Sequence, residues 1–212
     1  MLVPKTFFIL ILKIDIMLSE EDGKKLVKLA RQTVEDYFKN KKFILKKTEY
    51  NKKCGVFVSI HTYSDHELKG CIGYPYPTNT LNEALQRASF SAAFEDPRFS
   101  SLTKDELDNV VFEVSVLTEP ELIVIKNPKE YLKKIEIGKD GLIVECGFYK
   151  GLLLPQVPLQ FKPKWDVKTF LEQTCMKSGL LPDMWLDSKT KIYKFQAQIF
   201  KEKTPRGEIT QT

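Results

Sequence analysis

Cys71 is the residue whose type and setting most readily support chemistry. It lies in Leu68-Lys69-Gly70-Cys71-Ile72-Gly73, between two glycines that let backbone approach a ligand closely and leave amides free to hold an oxyanion. If this stretch is a strand, alternation points Lys69 and Cys71 one way and Leu68 and Ile72 the other, and a lysine beside a thiol favours the thiolate. The competing reading makes Cys71 a small buried hydrophobe, because a nucleophile needs an adjacent base and neither His61 nor His66 is clearly placed to serve. Asp96-Pro97-Arg98-Phe99 offers two alternatives: Arg98 as an anion clamp, or Asp96 and Arg98 as an ion-paired brace of a turn. Gln156, a polar amide in the apolar run Leu152 to Pro158, is suited to orient a ligand or to satisfy local backbone groups.

Other constellations carry less. Cys54, His61, His66 and Cys71 form a two-Cys, two-His set whose spacing does not match a zinc finger, and alternation puts Cys54 and His61 on opposite faces, so no metal site is expected. Gly70-x-x-Gly73 lacks the remainder of a phosphate-binding loop. Tyr74 and Tyr76, in a Tyr-Pro-Tyr-Pro loop, suit either stacking on a ring or rigid packing. Trp165 and Trp185 read as packing residues, and Glu113, in mid-strand, as part of a solvated face.

The elements that must position these residues follow from periodicity and caps. Ser19, with Asp22 three positions on, opens a helix whose stripe of Leu26, Leu29, Ala30, Val34 and Phe38 runs to Asn40. Gly55 to Ile60 and Glu67 to Gly73 read as a hairpin about the polar turn Thr62 to His66. Thr80 caps a second helix that Asp96-Pro97 ends, and its small residues Ala88, Ser89, Ser91, Ala92 and Ala93 predict close approach to another backbone. Thr103 to Glu106 opens a short helix, and Val110 to Leu117 is a strand. Ile135 to Ile137, the turn Gly138 to Gly141 and Leu142 to Glu145 read as strand, turn, strand, followed by a β segment from Gly147 to Leu154. Asp166 caps a further helix stopped by Gly179, and Tyr193 to Ile199 alternate as one half-buried strand. Strands and helices mix without regular βαβ alternation, which predicts an α+β fold: a mainly antiparallel sheet flanked by helices.

The composition, 42% apolar and 29% charged, is that of a globular protein with room for a large core. The four cysteines contain no C-x-x-C pair and are taken as reduced thiols in a cytoplasmic protein. Phe7 to Leu12 is too short to span a bilayer, which needs ~20 residues, so no membrane association is expected. The net charge of +5 concentrates in residues 17–53, with the doublets Lys41-Lys42, Lys46-Lys47 and Lys52-Lys53. Only Arg31, Arg87, Arg98 and Arg206 are arginines, which weakens a nucleic-acid reading, since arginine is the better fork for bases and phosphates. Lysine enrichment also suits a heat-adapted protein.

Together Leu68 to Gly73, Asp96 to Phe99, Ser115 to Leu117, Gly138 to Gly141, Gly151 to Val157 and Trp165-Asp166 resemble the AMMECR-domain family. The segment from Phe170-Leu171 through Cys175 to Gly179-Leu180 is similar to it too, and the likeness covers about residues 17–205. One departure is Lys69, where the family usually has arginine. The resemblance implies two unequal lobes with a cleft between them: a larger one of about 17–125 and 164–205 and a smaller β-rich one of about 126–163, with 1–16 as an N-terminal extension and 206–212 as a tail. It brings no activity or cofactor with it. In prokaryotes relatives often accompany a Memo-like protein, resembling non-haem iron dioxygenases, and a radical S-adenosylmethionine enzyme, which implies a part in modifying some biomolecule.

Three expectations follow. The leading one is a cleft that binds a small or nucleotide-like anionic ligand through Lys69, Gly70, Ile72, Gly73, Asp96, Arg98 and Gln156. The second is a Cys71-dependent, transferase-like enzyme. The third is an adapter that binds RNA or protein through the Lys41–Lys53 basic face.

Overall fold

The computed structural model describes residues 18–212, so the expected extension over 1–16 lies outside the described residues. Helix α1 (Glu20–Asn40) begins at the Ser19–Asp22 capping box and ends at Lys41 in a left-handed conformation. The hairpin β1 (Gly55–Thr62) and β2 (Leu68–Tyr74) leads into α2 (Leu81–Phe94), then β3 (Val110–Leu117) and the two-residue β4 (Glu121–Leu122). One turn of helix, α3 (Tyr131–Lys134), precedes the hairpin β5 (Gly141–Cys146) and β6 (Tyr149–Leu153). Helix α4 (Val167–Lys177), β7 (Lys191–Phe195), β8 (Ala197–Glu202) and β9 (Ile209–Gln211) complete the chain. The fold is α+β, built on two antiparallel sheets of order β2-β1-β3-β8-β9 and β4-β7-β5-β6.

Alternation decides what each face of the first sheet does. Val56, Val58 and Ile60 of β1 and Phe112, Val114 and Val116 of β3 point to one face and pack beneath α1 and α2. Against the second sheet, Leu142, Val144 and Ile192 pack on Phe170, Leu171 and Cys175 of α4, with Trp185 buried beside them. Between the sheets a third apolar cluster of Leu117, Ile143, Leu154 and Phe195, joined by Phe57 and Tyr76, bonds their facing surfaces.

Several expectations change here. Tyr193 to Ile199 is not one strand: the backbone breaks at Gln196, whose N–H and C=O are both taken by Thr118, so β7 joins the second sheet and β8 the first. Ile135 to Ile137 is not a strand either, because the Glu136 N–H is held by the buried Asp140 carboxylate across a turn. The second sheet takes in more of the chain than 126–163, since β4, β7 and α4 pack with it. Residues 206–212 do not trail: Arg206 bridges Glu35 and Asp108, and β9 pairs with β8 with Ile209 buried.

Two contacts hold the first sheet to its helices. Arg31 of α1, buried, donates to Glu202 at 2.6 and 2.7 Å and to the carbonyls of Leu107 and Val110, while Glu202 also accepts the Phe112 N–H at 2.9 Å. At Gly70 the α2 backbone comes so close that a Cβ would lie 1.9 Å from the Ala92 carbonyl oxygen, the close approach that the small residues of α2 predict. Substituting Gly70→Ala is expected to lower stability at the upper end of ~1–3 kcal/mol, read as a fall in the urea midpoint at unchanged m. Glu202→Gln strands one end of a buried ion pair and is expected to cost about 3–5 kcal/mol by the same measurement.

Candidate functional site

On the face turned away from α1 and α2, the first sheet carries a polar row. In register across four adjacent strands stand Cys71 (β2), Ser59 (β1), Glu113 (β3) and Lys201 (β8). One end of this face is covered by the second sheet. The rest forms the floor of a cleft of about 550 Å³, with Leu154, Gln156, Val157 and Gln160 along its other wall and His61 and His66 at the hairpin end.

Cys71 is fixed through its backbone as well as its side chain. β2 is an edge strand, and the groups that would meet a further strand are engaged instead by the loop after α2. The Cys71 N–H donates to Asp96 at 2.9 Å and its carbonyl accepts from Arg98 at 2.9 Å. Asp96 and Arg98 are themselves joined by hydrogen bonds of 2.7 and 2.9 Å, which is the brace among the two sequence alternatives. Arg98 holds the Asp96 carboxyl down at about 2, even though burial opposes this, and the Cys71 N–H adds to the effect. The Ser59 hydroxyl donates to the Cys71 sulfur at 3.2 Å, while burial pushes the thiol above its ordinary value.

The other motif residues divide. Lys69 does not share a face with Cys71. Ile60 pairs with Gly70 but His61 pairs with Leu68, so Lys69 is the extra residue of a bulge. It turns to Glu106 at 2.7 Å, and Leu68 takes its place in the cleft lining. Gly70 serves the α2 contact, and a Cβ on Gly73 would meet the Phe57 ring at 2.3 Å, so both glycines make room for packing. Ile72 packs in the helix-side core. Gln156 does reach the cleft and donates to Glu113 at 3.4 Å, leaving its own carbonyl oxygen buried without a hydrogen-bond partner among the described residues. Tyr76 donates to Glu145 and lies under Lys150, so it packs between the sheets, and Tyr74 packs against the helix-side core.

The sequence reading missed Ser59, Glu113 and Lys201. Glu113 is not on a solvated face: it is half-buried on the cleft floor, and burial raises its pKa against the opposing charge of Lys201. Burial and Lys201 together lower that of His61. The available signal is the period-2 polar set Ser59/His61 and Glu113/Ser115, which marks a face without saying what covers it. The lysine doublets occupy the surface connection from α1 to β1, where Asn82 and Gln86 of α2 grip the Lys46 backbone, on the helix side of the sheet.

Comparison with known proteins places the chain in a family. A family model described as AMMECR1 matches residues 27–200. The chain belongs to that family. Protein MJ0810 of Methanocaldococcus jannaschii is 52% identical over 195 residues, covering 91% of this chain and 96% of that protein. Protein PH0010 of Pyrococcus horikoshii is 50% identical over 199 residues, covering 91% and 95%. The crystal structure of PH0010, titled an uncharacterized protein, superposes with a TM-score of 0.87 at 48% identity, covering 92% of this chain and 98% of that one. This AMMECR1 chain has, among its described residues, no helix long and apolar enough to cross a membrane.

The depressed Asp96 carboxyl gives a signed prediction. The stability that it contributes is complete above about pH 4 and is lost as pH falls toward 2. The urea midpoint of the native chain is therefore expected to fall more steeply between pH 4 and 2 than that of Asp96→Asn, which should already be weakened at pH 7 by ~1–3 kcal/mol.

Proposed function

We propose that this AMMECR1-family protein binds a small ligand with an anionic group in the cleft between the polar row and the Leu154–Gln160 wall. The observation that carries the reading is the row itself: four polar side chains in register on neighbouring strands, Ser59 buried and Cys71, Glu113 and Lys201 half-buried, beneath the Leu154–Gln160 segment instead of facing open water. Half-buried polar groups that are only partly satisfied by the protein favour a ligand that completes them. Lys201 on the floor and His61 at the hairpin end suit an anionic group, and Glu113 with Gln156 suits hydrogen-bonding atoms beside it. Lys69 and Arg98 contribute by holding the frame, being committed to Glu106 and Asp96.

The test is a thermal-shift panel of nucleotides, nucleosides and sugar phosphates at millimolar concentration. A compound present at 100 times its Kd stabilises by about 2.7 kcal/mol, a rise of roughly 5–10 °C for a chain of this size. At least one member is expected to give such a shift in the native chain and to lose it in Lys201→Ala and Gln156→Ala, but to keep it in Arg87→Ala. A panel with no stabilising member, or one whose shifts survive both cleft substitutions, removes the reading.

A further inference from the structure

Ser59 sits between a thiol and an acid. Its two cross-strand neighbours on this face are Cys71 on one side and Glu113 on the other, both directly in register. The Ser59 hydroxyl donates to the Cys71 sulfur at 3.2 Å, and among the described residues no hydrogen bond joins it to Glu113. With one proton and two lone pairs, a turn about its Cβ–Oγ bond lets it accept from the thiol and donate toward the carboxylate during the reaction. We propose that the cleft carries out acyl transfer at Cys71, with Glu113 taking the thiol proton through the Ser59 hydroxyl. The proposal rests on the reading of the cleft as a ligand site and adds a reaction to it.

Three observations support this assignment. First, Glu113 is free to accept a proton. Among the described residues its carboxyl has no ion pair, and its one side-chain hydrogen bond is the 3.4 Å contact from Gln156. Burial raises its proton affinity above that of a free carboxylate, which makes it a stronger base. Second, the Cys71 thiol is raised by burial and does not stand as a thiolate, so it needs a base at the moment of reaction. Third, the thiol has no disulfide partner in the cleft. Cys54 lies in the helix-side core and Cys175 in the core beneath α4, and Cys146 ends β5 in the second sheet. Nucleophilic rather than dithiol chemistry is therefore what the site suits.

The step balances without an oxidant. The Cys71 sulfur bonds to the acyl carbon as its proton passes to the Ser59 oxygen and the Ser59 proton passes to Glu113. The bond from the acyl carbon to the leaving oxygen, nitrogen or sulfur breaks, and the leaving group departs with a proton returned along the same path. The acyl group rests on Cys71 as a thioester until the hydroxyl or amine of an acceptor attacks it, and the acceptor's proton returns to the sulfur through Ser59. His61, at the hairpin end of the cleft, supplies a hydrogen-bonding group for the charge that develops on the acyl oxygen, while Lys201, three strands from Cys71, holds the anionic end of the same molecule.

Charge and proton transfer predict opposite signs, which makes the test sharp. Besides Glu113, the charged and titratable groups about the thiol are Asp96 and Arg98 after α2, His61 on β1, His66 in the hairpin turn and Lys201 on β8. Were Glu113 only a neighbouring negative charge, Glu113→Gln would ease thiolate formation and speed alkylation. As a proton acceptor, its loss slows it. The experiment measures the rate of carboxamidomethylation by iodoacetamide at Cys71 from pH 6 to 10, by peptide mass spectrometry on the full chain with its other cysteines intact. The expected result is at least a ~10-fold loss at pH 7 in Glu113→Gln and in Ser59→Ala, with the double variant no slower than either, and rates converging at high pH. Glu113→Asp, which keeps the charge but withdraws the carboxylate by one carbon, should fall between. With p-nitrophenyl acetate as probe, the native chain should release nitrophenolate and gain an acetyl group at Cys71. A rate in Glu113→Gln equal to or above the native one, or a Cys71 that reacts only on unfolding, overturns the relay. A panel compound that still stabilises the native chain in that event leaves the binding cleft standing and removes the chemistry alone.

Discussion

The site depends on how closely α2 lies on β2. With the Ala92 carbonyl where a side chain of residue 70 would be, only glycine allows the contact. The helix end and the loop after it then fall beside the outer edge of β2. There Asp96 and Arg98 meet the N–H and C=O of Cys71 as a neighbouring strand would. An unprotected edge invites pairing with another chain; here one ion pair satisfies it and at the same time fixes the backbone of the residue at the head of the polar row. Packing on the helix face thus sets geometry on the opposite face, through the one residue type that can transmit it.

The two faces of the first sheet are put to different uses by the same strands. Val56, Val58 and Ile60 anchor the helices, while Phe57, Ser59 and His61, alternating with them, face the second sheet and the cleft. Gly73 leaves the space that the Phe57 ring occupies, and that ring begins the apolar contact with Ile143 and Phe195. Where the contact ends, the cleft begins. Its polar floor escapes full hydration because the segment from Leu154 to Gln160 lies over it. The same burial raises the Glu113 carboxyl and the Cys71 thiol together, so both are protonated more readily than in water.

Much of this was legible in the sequence because it is local. The Ser19 and Asp166 caps, the β1–β2 hairpin and the α2 stop at Asp96-Pro97 all depend on residues within a few positions of each other. Residue type and local setting singled out Cys71, Asp96, Arg98 and Gln156, of which the first three do meet and the fourth reaches the cleft. What was not legible depends on partners distant in the chain. Alternation alone could not reveal the bulge at Lys69, because a bulge is defined by the register of the opposite strand. It likewise carried Tyr193 to Ile199 smoothly through Gln196, where Thr118, 78 residues earlier, ends one strand and starts the next. Glu113 looked solvated since a period-2 polar residue marks a face, and whether that face is wet is decided by the Leu154–Gln160 segment.

The pairing of Lys69 also bears on the one departure from the family pattern. A position that gripped an anionic ligand by a two-pronged contact would suffer from lysine in place of arginine. In this chain the side chain at 69 holds Glu106, whose other oxygen accepts from the backbone and hydroxyl of Thr103 at the start of the short helix before β3. A point charge suffices for that anchor, and Lys69 lowers the Glu106 pKa as the largest single influence on it. The substitution therefore falls on the frame and leaves the cleft floor untouched. The positive charge that remains to face a ligand comes from Lys201, on the far side of the row from Cys71. A bound anion would then lie toward β8, and the thiol would meet the other end of the same molecule.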